Sequence, residues 1–165
     1  MKKIFFYILI LFSVSSYSQV EISKGKAAPN FKLENLDGGF LELSKVTGKG
    51  PVLLSFWATW CKPCMEEMTE LNKIYEELKD KGFTLLAIST DNEKTIAKVK
   101  PLVKSKGFNF TVLLDKNSDV ARKYYAQQIP YSVLIDSNGK IVEVHMGYMK
   151  GDEKNLREKI LALLQ

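Results

Sequence analysis

Two apolar runs, Val52-Leu53-Leu54-Ser55-Phe56-Trp57 and Phe83-Thr84-Leu85-Leu86-Ala87-Ile88-Ser89, are too continuous for half-exposed strands. They predict strands buried on both faces, as in the centre of a helix-covered sheet. Between them Cys64, Met68, Leu71, Ile74, Tyr75 and Leu78 share one side of a helical period, with lysines and glutamates opposite. That spacing predicts a helix over Met65–Lys81, ended by Gly82. Asp91 or Asn92 is placed to cap a second helix, running to about Ser105 and kinked near Pro101. Thr111-Val112-Leu113-Leu114 predicts a third strand, Ser118 to Ala126 a short helix, and Tyr131-Ser132-Val133-Leu134-Ile135 a fourth strand. After a turn at Asp136-Ser137-Asn138-Gly139, Ile141 to Met146 alternates like an antiparallel strand wet on one face. Gly151-Asp152 opens a last helix with Leu156, Ile160, Leu163 and Leu164 on its stripe. Upstream, Ser23 to Asn30 reads as an extended lead-in. Phe31–Leu36 and Phe40–Leu43 flank Asp37-Gly38-Gly39, which signals a hairpin. Strand–helix alternation closed by a hairpin implies an α/β sheet, parallel at its centre and antiparallel at one edge.

The N-terminus has a different pattern. Met1-Lys2-Lys3 is a short basic start, Ile4 to Val14 is almost purely apolar, and small residues stand at Ser16 and Ser18. These are the three parts of a secretory signal peptide, with cleavage expected after Ser18. The domain is then residues 19–165. An eleven-residue helix spans about 16 Å, short of a bilayer core of about 30 Å. An uncleaved anchor is the alternative. Export implies a periplasmic or cell-envelope location.

Composition is that of an ordinary globular domain, 45% hydrophobic and 26% charged. Removing residues 1–18 takes away Lys2 and Lys3 and no acid, so the net charge falls from +5 to +3. The remaining lysines are scattered among acids, which is a solvated surface and not a nucleic-acid stripe. Neither a Gly-x-Gly-x-x-Gly nor a phosphate-loop motif is present, so nothing supports nucleotide binding.

The two cysteines, Cys61 and Cys64, both lie in the domain. An oxidising compartment permits disulfides. A bridge closing so short a loop constrains the unfolded chain little, so the spacing suits a disulfide that is made and broken. Cys61 follows a buried strand and begins a helix, where unpaired N–H groups and the helix dipole favour a thiolate. Lys62 adds positive charge beside it. Cys61 is therefore the expected nucleophile. Cys64, one turn on and on the apolar stripe, is the expected resolving thiol, within bonding range. Pro63 suits an early helix position. Half a zinc site is the competing reading, but no second cysteine pair exists and His145 is the only histidine. A purely structural bridge is the other. His145 itself reads as a surface residue on the alternating strand, sharing a face with Ile141 and Glu143, and Trp57 reads as core.

The segment Phe56-Trp57-Ala58-Thr59-Trp60-Cys61-Lys62-Pro63-Cys64 resembles the active-site segment of the thioredoxin superfamily. The wider pattern over roughly residues 27 to 164 is similar to its TlpA/ResA-like branch of exported bacterial proteins. Ala28-Pro29-Asn30-Phe31 with its hairpin, Glu67, the strand–helix unit around 83–105, and Ile129-Pro130 before Tyr131 carry that match. The resemblance implies a thioredoxin-like fold: a central mixed sheet flanked by helices, with an N-terminal β-hairpin and an inserted strand–helix unit. It implies thiol–disulfide oxidoreductase chemistry, most simply disulfide reduction, through a Cys61–Cys64 dithiol–disulfide cycle with no cofactor. It also implies a cis Ile129-Pro130 peptide facing the cysteines, with a trans proline that merely opens a strand as the alternative. The client surface is expected to comprise Trp60, Lys62, Pro63, Ile129 and Pro130, with core packing as the alternative for Trp60.

The same resemblance shows two departures. Thioredoxin carries a buried acid six residues before its first cysteine, where this chain has Ser55. The branch places a glutamate three residues after the second cysteine, and Glu67 fits. Helical phase puts it one turn from Cys64 at the edge of the buried stripe, where a raised pKa would let it exchange a proton with Cys64. The alternative is an acid that merely complements the helix dipole. The branch often has proline two residues later; Thr69 stands there, which leaves a helix kink in question. The implied partners are disulfide-bearing exported clients, apocytochrome c among them, and a membrane thiol-relay electron donor; a monomer is expected. A disulfide oxidase or isomerase on the same cysteines, and a metal- or haem-binding chaperone on the same fold, are the competing functions. Copper-delivering relatives space their cysteines one residue wider. Peroxidase chemistry expects a threonine where Ala58 stands.

Overall fold

The computed structural model describes residues 22–165. The signal segment 1–18 with its cleavage point lies outside the described residues. Among the described residues, no helix is long and apolar enough to cross a membrane.

The chain runs β1 (Lys32–Asn35), β2 (Phe40–Glu42), β3 (Val52–Trp57), α1 (Lys62–Leu78), β4 (Thr84–Ser89), α2 (Val99–Lys106), β5 (Thr111–Leu114), α3 (Asp119–Lys123), β6 (Tyr131–Ile135), β7 (Ile141–Met146) and α4 (Asp152–Leu163). All seven strands form one sheet in the order β2-β1-β5-β4-β3-β6-β7. Its centre, β5-β4-β3, is parallel. β6 and β7 continue it antiparallel on one side. The β1–β2 hairpin also joins the sheet, pairing antiparallel with β5 through Glu34 and Asn35. The sheet is thus antiparallel at both edges, not one. Local patterning predicts the hairpin, but its attachment to β5 is a contact across some eighty residues that no local pattern carries.

β3 is buried on both faces because alternate residues enter different cores. Leu53 and Trp57 pack with α1, α2 and α4, together with both cysteines. Val52, Leu54 and Phe56 pack with Phe31, Leu43 and α3. α1 begins earlier than its apolar period indicates, at Lys62, and after Leu78 a single 3-10 turn over Lys79–Lys81 ends at Gly82 in the left-handed region. α2 begins later, at Val99, after a 3-10 turn. Pro101 therefore falls in the first helical turn, where its missing N–H has no helical partner to lose. α3 covers only Asp119–Lys123, and its N-terminus is capped from outside by the buried Asp115, which accepts from the Val120 and Ala121 N–H groups at 3.2 and 2.8 Å. On β7 a register shift opposite Leu134 and Ile135 puts Ile141 in the α3-side core, on the face opposite His145.

One glycine is required by a close approach. Gly50 has φ +152°, and a Cβ there would sit well inside contact distance of the Gly82 carbonyl oxygen. The obstacle is backbone and cannot rotate away. Gly50→Ala is expected to lower stability by about 3 kcal/mol, since overpacking adds to backbone strain. A fall in the thermal midpoint with unchanged dithiol chemistry would register it; an unchanged midpoint would refute it.

Candidate redox site

The end of β3 feeds the loop Ala58-Thr59-Trp60, and Cys61 then serves as N-cap of α1 with extended backbone. Its Sγ accepts a hydrogen bond from the Cys64 N–H at 3.2 Å. In this position the sulfur satisfies one of the orphan donors of the helix, which would also hold a thiolate. Cys61 and Cys64 are disulfide-bonded, with Cα atoms 5.3 Å apart. Cys64 is wholly buried, while Cys61 keeps 6% of its surface, so the expected nucleophile is the more accessible sulfur but only by a margin. Lys62 and Pro63 are exposed in the first helical turn. Trp60 stands 67% exposed beside the pair.

The second wall comes from the start of β6. Phe56 pairs with Tyr131, so Pro130 arrives at the same end of the sheet as the cysteine loop. The Ile129-Pro130 peptide is cis, and Ile129 shares a groove with Trp60.

Glu67 lies deeper than the edge position that helical phase predicts. It is 3% exposed. Two hydroxyls hold its carboxyl group: Ser132 Oγ donates to Oε1 at 2.9 Å and Ser55 Oγ to Oε2 at 3.3 Å. Ser55 and Ser132 are direct cross-strand partners on β3 and β6. The carboxyl group thus reaches the strand position where thioredoxin has its own acid, but it arrives from the helix. Burial, opposed by the two serines, pushes its pKa up to about 7. A group so poised can both take and return a proton at neutral pH. At Thr69 the hydroxyl donates to the Met65 carbonyl at 2.8 Å, and α1 continues through this position from Lys62 to Leu78.

The cysteine loop is itself held from β4. Asp91 is not a helix cap. It is fully buried and accepts from the Thr59 N–H at 2.9 Å, the Thr59 hydroxyl at 2.6 Å and the Ser89 hydroxyl at 2.9 Å. Those contacts fix the backbone two residues before Cys61.

Residues 24–144 match the AhpC/TSA family. The chain belongs to that family. Within it, this chain is 44% identical over 123 residues to the thiol-disulfide oxidoreductase ResA of Bacillus thuringiensis, spanning 74% of this chain and 69% of the relative. It is 40% identical over 128 residues to the ResA of Bacillus subtilis, spanning 78% and 70%. Among solved structures, a Chlorobium tepidum protein assigned as the thiol:disulfide interchange protein DsbE superposes with TM-score 0.81 at 34% identity, covering 88% of this chain and all of that one. The thioredoxin domain of a Bacteroides vulgatus thiol-disulfide oxidoreductase superposes with TM-score 0.69 at 29% identity, covering 85% and 99%. With the disulfide-bonded Cys-x-x-Cys at the helix start, these likenesses make the chain a thioredoxin-fold thiol–disulfide oxidoreductase.

For this family member, sequence reasoning missed two contributors to the site. Ser132 breaks an apolar strand with a hydroxyl, which was a visible signal. Asp91 follows a buried strand, where a cap is the local expectation. His145 is half-exposed, as a surface residue of the strand should be, and it lines a cleft that Glu67 also lines.

Proposed function

We propose that the chain is an exported reductase, working outside the inner membrane after loss of residues 1–18, that reduces disulfides in exported client proteins. The observation that carries this reading is the buried Glu67 carboxyl group one helical turn from Cys64, with a pKa of about 7. In the cycle, the Cys61 thiolate attacks a client disulfide, forming a mixed disulfide and releasing one client thiolate. Glu67 accepts the proton of Cys64. The Cys64 thiolate then attacks Cys61 Sγ, closing Cys61–Cys64 and expelling the second client sulfur with its electron pair. Trp60, Lys62, Pro63, Ile129 and Pro130 form the surface against which the client lies. A base beside the resolving thiol shortens the life of the mixed disulfide. That favours reduction over isomerisation, which needs the intermediate to persist. A membrane thiol-relay protein returns the electrons, and apocytochrome c is among the fitting clients.

Cys64→Ser is expected to accumulate client proteins as mixed disulfides on Cys61, separable on non-reducing gels and identifiable by mass spectrometry. No trapped species from the native envelope would refute the reading. A reduction potential near about −270 mV supports the reductase direction, whereas one above about −200 mV would make the chain a disulfide donor.

A further inference from the structure

Glu67 needs a proton path that the redox face does not supply. On that side Cys64, one helical turn away on α1, and Ser55 on β3 are fully buried, and Glu67 itself is 3% exposed. A cleft of about 70 Å³ between the β6–β7 ribbon and α4 is lined by Glu67, Ser132, His145 and Asp152, and by neither cysteine. That volume has room for several waters. Ser55, Ser132 and His145 occupy one register line across β3, β6 and β7, each the cross-strand partner of the next. The line runs from fully buried Ser55 to half-exposed His145, and Ser132 on it donates to Glu67 at 2.9 Å.

We propose that the proton Glu67 exchanges in each redox cycle enters and leaves through this cleft, with His145 as the relay to bulk water. This rests on Glu67 serving as base for Cys64. His145 acts through Glu67 and never touches the sulfurs. When Cys64 gives up its proton, Glu67 becomes a neutral carboxylic acid. That proton passes by way of Ser132 and cleft water to the imidazole, and from it to solvent, leaving Glu67 ionised for the next turn. Re-reduction of the disulfide runs the same path backwards. Asp152 orients the ring, its Oδ2 lying 3.2 Å from His145 Nε2.

The other charged groups facing the ring are already engaged. Glu143 on β7 is paired with Lys159 of α4 at 2.7 Å. The Tyr148 hydroxyl donates to Glu153 at 2.9 Å. Burial and that bond push the phenol up, and backbone donors hold Glu153 down, so neither changes charge near neutrality. On α1, Glu70 is held by Lys73 at 2.7 Å. An imidazole is the side chain suited to passing protons at neutral pH.

The test follows closure of the Cys61–Cys64 bond by tryptophan fluorescence. The reduced mature protein reacts with a disulfide peptide in stopped flow, across pH and at several buffer concentrations. His145→Gln is expected to slow closure several-fold at low buffer and to make its rate rise with buffer concentration. Added imidazole should restore the rate, while the parent protein responds to neither. In a Glu67→Gln background the same substitution should have no further effect. The proposal is overturned if His145→Gln keeps a buffer-independent rate, if imidazole fails to rescue, or if the loss appears undiminished without Glu67. A parent protein with no exchange activity would instead overturn the proposed function.

Discussion

Cys61→Ser is expected to reduce disulfide exchange to the uncatalysed background while leaving the fold intact. A hydroxyl is not ionised at neutral pH and cannot hold a client in a mixed disulfide, so the first step has no substitute. The second sulfur does not rescue it, because Cys64 is wholly buried behind Cys61. The fold should survive because serine is a favoured N-cap. Its Oγ can accept the Cys64 N–H that Cys61 Sγ now accepts at 3.2 Å. What is lost structurally is the cross-link. For so short a loop the chain-entropy relation gives about 2 kcal/mol. Insulin reduction gives the rate and a thermal melt the stability. Turnover above background in this variant would remove Cys61 from the mechanism, and a collapsed fold would mean the disulfide is structural.

The parts of the fold legible in the sequence are those whose cause is local. β3 and β4 show as unbroken apolar runs because each is covered on both faces. The resemblance singles out Glu67, and helical phase supports it, since three residues along a helix is about one turn. What was illegible depended on a distant partner. Asp91 obeys the local rule for a cap, yet its carboxylate is taken by Thr59, thirty-two residues earlier, and no spacing within its own segment says so. The depth of Glu67 is likewise set by Ser55 and Ser132, hydroxyls on two strands that meet only in the folded sheet. His145 looked bland because its neighbours are Ser132 across the sheet and Asp152 beyond a turn. Local reading therefore found the sulfurs and the acid, and it missed the polar groups that hold and serve that acid.

Those groups lead to the second large effect. Glu67→Gln is expected to make the protein more stable and less active, with both changes dependent on pH. The carboxyl group has a folded pKa of about 7 against an ordinary 4.5, raised by burial. The native state therefore binds its proton more tightly than the unfolded chain does. Stability contributed by the protonated acid is full below about pH 4.5 and falls as pH rises towards 7, levelling above it. The difference corresponds to about 3 kcal/mol at pH 8. Glutamine is nearly isosteric and never charges, and its carbonyl can still accept from Ser132. The variant should therefore match the parent near pH 4.5 and exceed it by about 3 kcal/mol at pH 8. Chemistry should change in the opposite sense. In the parent, resolution by Cys64 accelerates with pH through about 7 as the carboxylate base appears. Glutamine cannot take the proton, so that inflection should vanish and the step should slow by about a hundredfold. Denaturant melts at the two pH values, paired with single-turnover resolution rates, measure both. A variant no more stable at pH 8 would mean the carboxyl group is not strained by burial. A retained inflection near pH 7 would mean another group takes the proton of Cys64.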